Sequence, residues 1–166
     1  TENFFISDNN VKEKGLIHEN VDTKLIRTAI RRAQDIELDQ VLGSCLLSKL
    51  DTDIGASTVS GVYEALLKNY VQPYLIVCVE YRSARYLLEK IRNKTTGKDT
   101  DSNFQALTRE EIISFNDRLH NDAESYKIKL VGYLEDNKTD FPEYEDCECN
   151  EENKQPSSDV KRKIFY

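Results

Sequence analysis

The densest group of residues that could do chemistry is Cys147-Glu148-Cys149. Paired thiolates can hold zinc, but a closed site needs four ligands and usually two or more residues between paired cysteines. The two histidines, His18 and His120, are far from this pair in sequence. The spacing therefore predicts two exposed thiols in a tether rather than a metal centre. Cys45 and Cys78 sit inside apolar helical patterns, where a free thiol behaves as a small hydrophobe, and both are expected to be reduced core residues. Neither histidine has a Ser, Cys or Asp partner at a spacing that would activate a nucleophile. Glu110 and Glu111 belong to the first turn of a helix, where negative charge is favourable in any case. The Glu-x-x-His motifs of a di-metal helical site are absent, as is a Gly-rich phosphate loop. The expectation is a protein that is not an enzyme and carries no metal and no cofactor.

Two basic stripes and one terminal motif remain. Arg27, Arg31 and Arg32 lie on adjacent turns of one helical pattern, and Arg82, Arg85 and Arg92 line part of another. Such stripes read either as solvated faces with local ion pairs or as a subunit interface or weak contact with nucleic-acid phosphate. Arg82, Arg85 and Arg92 are the candidate subunit interface. The terminal motif is Val160-Lys161-Arg162-Lys163-Ile164-Phe165-Tyr166. It is either a frayed end or a linear docking motif that adds a strand or fills a partner's pocket.

Charge divides the chain into three parts. Residues 135–159 hold 10 acidic and 2 basic groups, and residues 160–166 add three positive charges. With a total of −7, the remaining body is near neutral. A net negative chain is a poor dedicated nucleic-acid binder, which normally carries a basic domain. The acidic stretch has too few branched apolar residues to offset its ordering entropy. The expected division is a helical domain over residues 1–136 and an acidic flexible tail with a basic-aromatic tip over residues 137–166. No run approaches 18 apolar residues, so no membrane span is expected. Thr1–Asn10 lacks a basic region followed by an apolar stretch, so no secretory signal is expected. Met is absent, and Thr1 is small enough to permit removal of an initiator, so the native N-terminus is expected to begin here.

The body reads as helices. Ser7 caps a short helix that ends at Lys14 before Gly15. Asp22 starts a longer one, with Leu25, Ile26, Ala29, Ile30, Ala33 and Ile36 at spacings of three and four. The phase slips near Glu37–Asp39, where a kink or break is expected, and Leu38, Val41, Leu42, Cys45, Leu46 and Leu50 resume it. Asp51–Ser60 reads as a loop and Val59–Val71 as a shorter helix. Pro73 suits the first turn of the next helix, which continues to Lys94 before Gly97. Lys98–Phe104 is a polar loop. Thr108-Arg109-Glu110-Glu111 is a capping box that opens the cleanest apolar stripe in the chain: Ile112, Phe115, Leu119, Ala123, Tyr126, Leu130, Tyr133 and Leu134. Leu119, Tyr126 and Leu130 are expected to face Cys78, Tyr81 and Leu88. Four main helices with short connections predict an all-α fold: an antiparallel four-helix bundle with a short N-terminal helix and an extended C-terminal tail.

A resemblance sharpens the functional expectation. Phe5-Ile6-Ser7, Gly15-Leu16-Ile17, Asn20-Val21-Asp22, Ile26, Ile30, Ala33-Gln34, Ile36, Leu42-Gly43 and Leu46, followed by Tyr70-Val71-Gln72-Pro73-Tyr74, resemble the helical head–tail connector (adaptor, or ring) proteins of tailed bacteriophages. The likeness spans about residues 4–135 and is nearest to connectors of crAss-like phages of Bacteroidetes. It implies a helical bundle that forms a dodecameric ring below the portal, links capsid to tail and continues the DNA channel. The implied partners are the portal protein, further ring or tail proteins, and copies of the chain itself. Genomic DNA would pass without sequence-specific binding, and the protein would reside in the virion after assembly in the bacterial cytoplasm. Family members commonly send their C-terminal segment onto the portal, the role this gives to Val160–Tyr166. The rival from another class is a monomeric helical regulatory protein that binds a partner through its tail.

Overall fold

The computed structural model describes residues 3–17, 21–94 and 109–145, with backbone only for 85–94 and 145. The described residues are helical, with no strand among them. Ser7 caps α1 (Asp8–Lys14) by accepting the Asn10 N–H at 3.1 Å. Asp22 caps α2 (Thr23–Arg32) by accepting the Lys24 N–H at 2.9 Å. Both starts agree with the short polar side chains that satisfy orphan N–H groups at a helix entry.

The expected phase slip is a π-turn, Ala33–Leu38, that joins α2 to α3 (Asp39–Ala56) without a break; the Asp39 N–H reaches back to the Gln34 carbonyl. One extra residue per turn shifts the apolar stripe without ending the helix. A true kink follows at Gly43, with φ 74° and ψ 159°, a backbone region open essentially to glycine alone. Helix α3 then runs five residues past Asp51, into the stretch expected to be a loop. Leu50 is fully buried and Ile54 packs on the core, so burial at a spacing of four outweighs the weak helix propensity of Asp51-Thr52-Asp53. Ser57, at φ 57°, ends it in the left-handed region.

The second expected break also closes up. Helix α4 (Gly61–Leu66) passes through a π-turn, Leu67–Val71, into α5 (Gln72–Lys94). Pro73 therefore lies inside a continuous helical rod rather than at a new start. Proline removes one N–H and crowds the preceding turn, and here the widened turn sits immediately before it. Helix α6 (Arg109–Asp136) runs back along α5. Thr108, the expected cap, and Gly97 lie outside the described residues.

The chain does not leave the body at residue 137. A 3₁₀ turn, Lys138–Asp140, and α7 (Pro142–Glu145) fold back onto α3. Phe141 is completely buried, 5.4 Å edge-on from Tyr63 and 6.0 Å from Tyr133, while Tyr70 stacks on Tyr133 at 4.0 Å. The Tyr63 hydroxyl donates to Glu143 at 2.7 Å. Burial and this acidic partner push the phenol up to about 12. Residues 138–145 thus pack on the helical body: one aromatic residue with a pocket outweighs the acidic composition around it. Residues 146–166 lie outside the described residues.

The α6 stripe is only partly inward. Leu119, Ala123, Leu130 and Leu134 are buried, but Tyr126 is 36% exposed and Tyr81, expected opposite, is 40% exposed. Tyr81 instead meets His120 at the surface, ring centres 5.6 Å apart. Leu88 falls outside the described side chains. Leu130→Ala is expected to cost about 2–5 kcal/mol, the range for a fully buried large-to-small change, measured by urea unfolding. A cost below about 0.5 kcal/mol would remove α6 from the core.

Candidate functional site

Residues 3–6 form an irregular segment that bends at Phe5 and Ile6 rather than a helix, yet Phe5 and Ile6 are buried in the core. Buried backbone in a helical protein has no ladder to satisfy it. Two glutamine side chains take that part. The Gln34 carbonyl oxygen accepts the Phe5 N–H at 3.0 Å, and its amide donates to the Asn3 carbonyl at 3.2 Å. The Gln72 amide donates to the Phe5 carbonyl at 3.0 Å. Gln34 lies in the first π-turn and Gln72 directly follows the second. Beside this strap is an open groove of about 440 Å³, lined by Arg31, Asp35, Ser48, Asp51 and Thr52 among others. Arg31 lies over the Phe4 ring at 6.0 Å.

A second buried polar contact holds the turn after α1. Glu80 of α5 is buried and accepts the Leu16 N–H. Gly15 permits the approach: a Cβ there would stand 2.6 Å from the Glu80 oxygen and 3.2 Å from Ile76. Burial raises the Glu80 pKa; the Leu16 hydrogen bond opposes this, and the Asp122 carboxylate on α6 adds to it.

The candidate interface residues separate. Arg82 forms a two-point ion pair with Glu37, Nε to Oε2 at 2.9 Å, which ties the first π-turn to α5. Arg27, from the other stripe, meets Asp8 at 3.3 Å. The side chains of Arg85 and Arg92, and the whole of Val160–Tyr166, lie outside the described residues. What the surface does show is apolar exposure on α6. Ile113, Phe115 and Ile128 are exposed, Ile128 by 69%, and no residue from Arg109 to Arg118 is buried. Among the described residues no three His, Cys, Asp or Glu side chains converge to hold a metal ion, and no helix is long and apolar enough to cross a membrane.

Two cysteine findings bear on the expected thiols. Cys78 is a free, buried thiol, raised to about 12 by burial, which its hydrogen bond with Tyr74 only partly offsets. Cys45 is half-buried and disulfide-bonded, which corrects the expectation of a reduced core residue. It sits off the inward row of Leu42, Leu46 and Leu50, so it is not enclosed as Cys78 is.

Gln34 and Gln72 entered the sequence reading only within the stretches that carry the resemblance, with no structural role assigned, and Glu80 was not singled out. An amide has no periodicity of its own. Glu80 did carry a signal, as a charge ending the all-apolar run Tyr74–Val79.

Gln34→Ala would orphan the Phe5 N–H and is expected to cost about 1–3 kcal/mol in chemical denaturation. Gln34→Glu, which keeps the acceptor and loses the donor, should fall between that variant and the native chain. The Glu80 shift has a definite sign. Between the ordinary carboxylate value of 4.5 and its raised value, the folded chain binds more protons than the unfolded one. Its contribution to stability therefore falls as pH rises through that window. Glu80→Gln keeps the acceptor for Leu16 without the buried charge. It should raise the melting temperature at about pH 7 and give no gain at about pH 4.

No curated protein and no solved structure matches this chain. A family of unknown function, DUF6712, matches residues 38–154, from the end of the first π-turn through α7 and beyond, and the chain belongs to that family.

Proposed function

We propose that the chain is a structural virion protein of a tailed bacteriophage, a head–tail connector that forms a dodecameric ring below the portal. The observation that carries this reading is where the residues of the resemblance lie. Phe5, Ile6, Ile17, Ile26 and Ile30 belong to one buried cluster, and Gln34 grips the strap that contributes the first two. The likeness therefore follows a packed unit rather than scattered positions.

In this reading the helical lengths 23–42, 44–56, 61–94 and 109–136 pack as an antiparallel four-helix bundle. A closed ring needs two different faces on each subunit. The exposed Ile113, Phe115 and Ile128 of α6 supply one of them, with Arg85 and Arg92 as further candidates on α5. Arg82, already paired with Glu37, contributes to the subunit's own fold. The tip Val160–Tyr166 docks on the portal, where twelve weak contacts act together at high effective concentration. DNA slides through a ring whose subunits carry net negative charge. The role is assembly, without catalysis or cofactor, and its place is the virion, built in the host cytoplasm.

The test is mass measurement and negative-stain imaging of the full chain with its portal. Rings bound to the portal are the expected result. A chain that stays monomeric in the portal's presence would favour the rival reading, a helical regulator that binds through its tail. Ile128→Glu should weaken ring formation at least about tenfold, roughly 1.4 kcal/mol, and leave the monomer's melting temperature unchanged. Undiminished assembly would take this part of α6 out of the interface.

A further inference from the structure

A kinked helix leaves a gap between its two arms, and here the N-terminal strap bridges it. Gly43, at φ 74° and ψ 159°, turns the rest of α3 away from the line of α2 and the first π-turn. The groove beside the strap is lined by Arg31, Gln34 and Asp35 before the kink and by Leu47, Ser48, Asp51 and Thr52 after it. Gln34 holds Asn3 and Phe5 from the first arm. On the second arm the Asn3 side-chain amide donates to the Asp51 carbonyl at 3.1 Å. Gly55 admits Asn3: a Cβ there would stand 2.6 Å from the Asn3 amide nitrogen. The second arm has another brace. Helix α7 packs on α3, and the Tyr63 hydroxyl holds Glu143 at 2.7 Å, with Lys49 of the arm 5.3 Å over the Tyr63 ring. Apart from α7, the element that lies most closely against α3 is the π-turn before it. The far end of the arm, from Gly55 to Thr58, is exposed.

We propose that residues 44–56 are a movable arm, hinged at Gly43, that couples the N-terminal strap to α7. The hinge is a residue that passes between backbone regions without the steric cost of a Cβ. Both braces grip the same arm, one through Asp51 and Gly55, the other through the Tyr63–Phe141–Glu143 contacts beside Lys49. Loosening one brace lets the arm leave the position that the other requires. Leu46 and Leu50 of the arm are fully buried, so the displaced arm is a minor state, whose population each brace holds down. The arm moves as a helix, because its own hydrogen bonds run along it and do not cross the hinge. Displacing the strap therefore loosens α7, and displacing α7 loosens the strap by the same factor, since coupling between two sites is reciprocal. This gives the two ends of the described chain one shared two-state element, the physical requirement for communication between them. The inference does not rest on the connector reading and survives its failure.

The experiment is amide hydrogen exchange, read by NMR on the full, unreduced chain and two variants. Asn3→Ala removes the bond to Asp51 and leaves both Gln34 contacts with the strap backbone. Tyr63→Phe removes the bond to Glu143 and leaves the ring against Phe141. The amides of Leu130 and Leu134, buried on α6, report global opening. Asn3→Ala is expected to speed exchange at the Phe141 amide, which pairs with the Lys138 carbonyl, by about fivefold or more relative to those two. Tyr63→Phe should do the same at the Phe5 amide. Leu50, inside the arm, should keep its native protection in both variants. If each variant changes only its own end, or if both ends merely follow Leu130 and Leu134, the braces are independent and the coupling is overturned. Loss of protection at Leu50 by the same factor as at the two ends would mean that the arm unravels, and would overturn the hinge.

Discussion

Much of this structure depends on the pairing of one residue's backbone. Phe5 is buried in a bent, non-helical segment, surrounded by helices whose own backbone groups are already paired. An amide left unsatisfied there costs about 1–3 kcal/mol, comparable to what the phenyl ring gains by burial. Gln34 and Gln72 resolve the conflict by acting as two rungs of a ladder made from side chains. They come from two different helical rods, so the strap also fixes how those rods sit against each other. The Glu37–Arg82 pair links the same first π-turn to α5, and the Glu80–Leu16 contact links α5 to the turn after α1.

The π-turns explain why such an arrangement is available. An α-helix uses every interior N–H and C=O for itself, and its side chains repeat on a fixed angular step. A π-turn inserts a residue and advances the phase. The apolar stripe of α2 is thereby carried into α3, and α4 is carried into α5 across Pro73. The wider turns coincide with the two glutamines and with the proline. These are places where a regular helix would have aimed a side chain elsewhere or lost a hydrogen bond without relief.

This bears on how much could be read from the residues. The starts of α1 and α2, the phase slip near Glu37, and the long α6 were legible because caps and apolar spacing are local signals. The extension of α3 to Ala56, the return of Phe141 and the continuity through Pro73 were not, because each is decided by contacts with distant chain. Leu50 and Phe141 are apolar residues next to acidic, loop-like composition, and composition carries no record of which pocket awaits them. Within the candidate site, Arg82 was legible as charge but not as the partner of Glu37, forty-five positions away. The Cys45 disulfide was masked by an apolar pattern that suits a buried thiol equally well.

The two ends of the described chain are thus held by different means. The N-terminal strap is fixed by neutral hydrogen bonds and buried apolar side chains, none of which responds to salt or to reducing agents. At the other end, Phe141 and its aromatic neighbours anchor the chain up to α7, and beyond that point the residues are dominated by like charge. The hydrogen bond from Tyr63 to Glu143 adds a charged acceptor to that aromatic anchor, and such a bond is stronger than one between neutral groups.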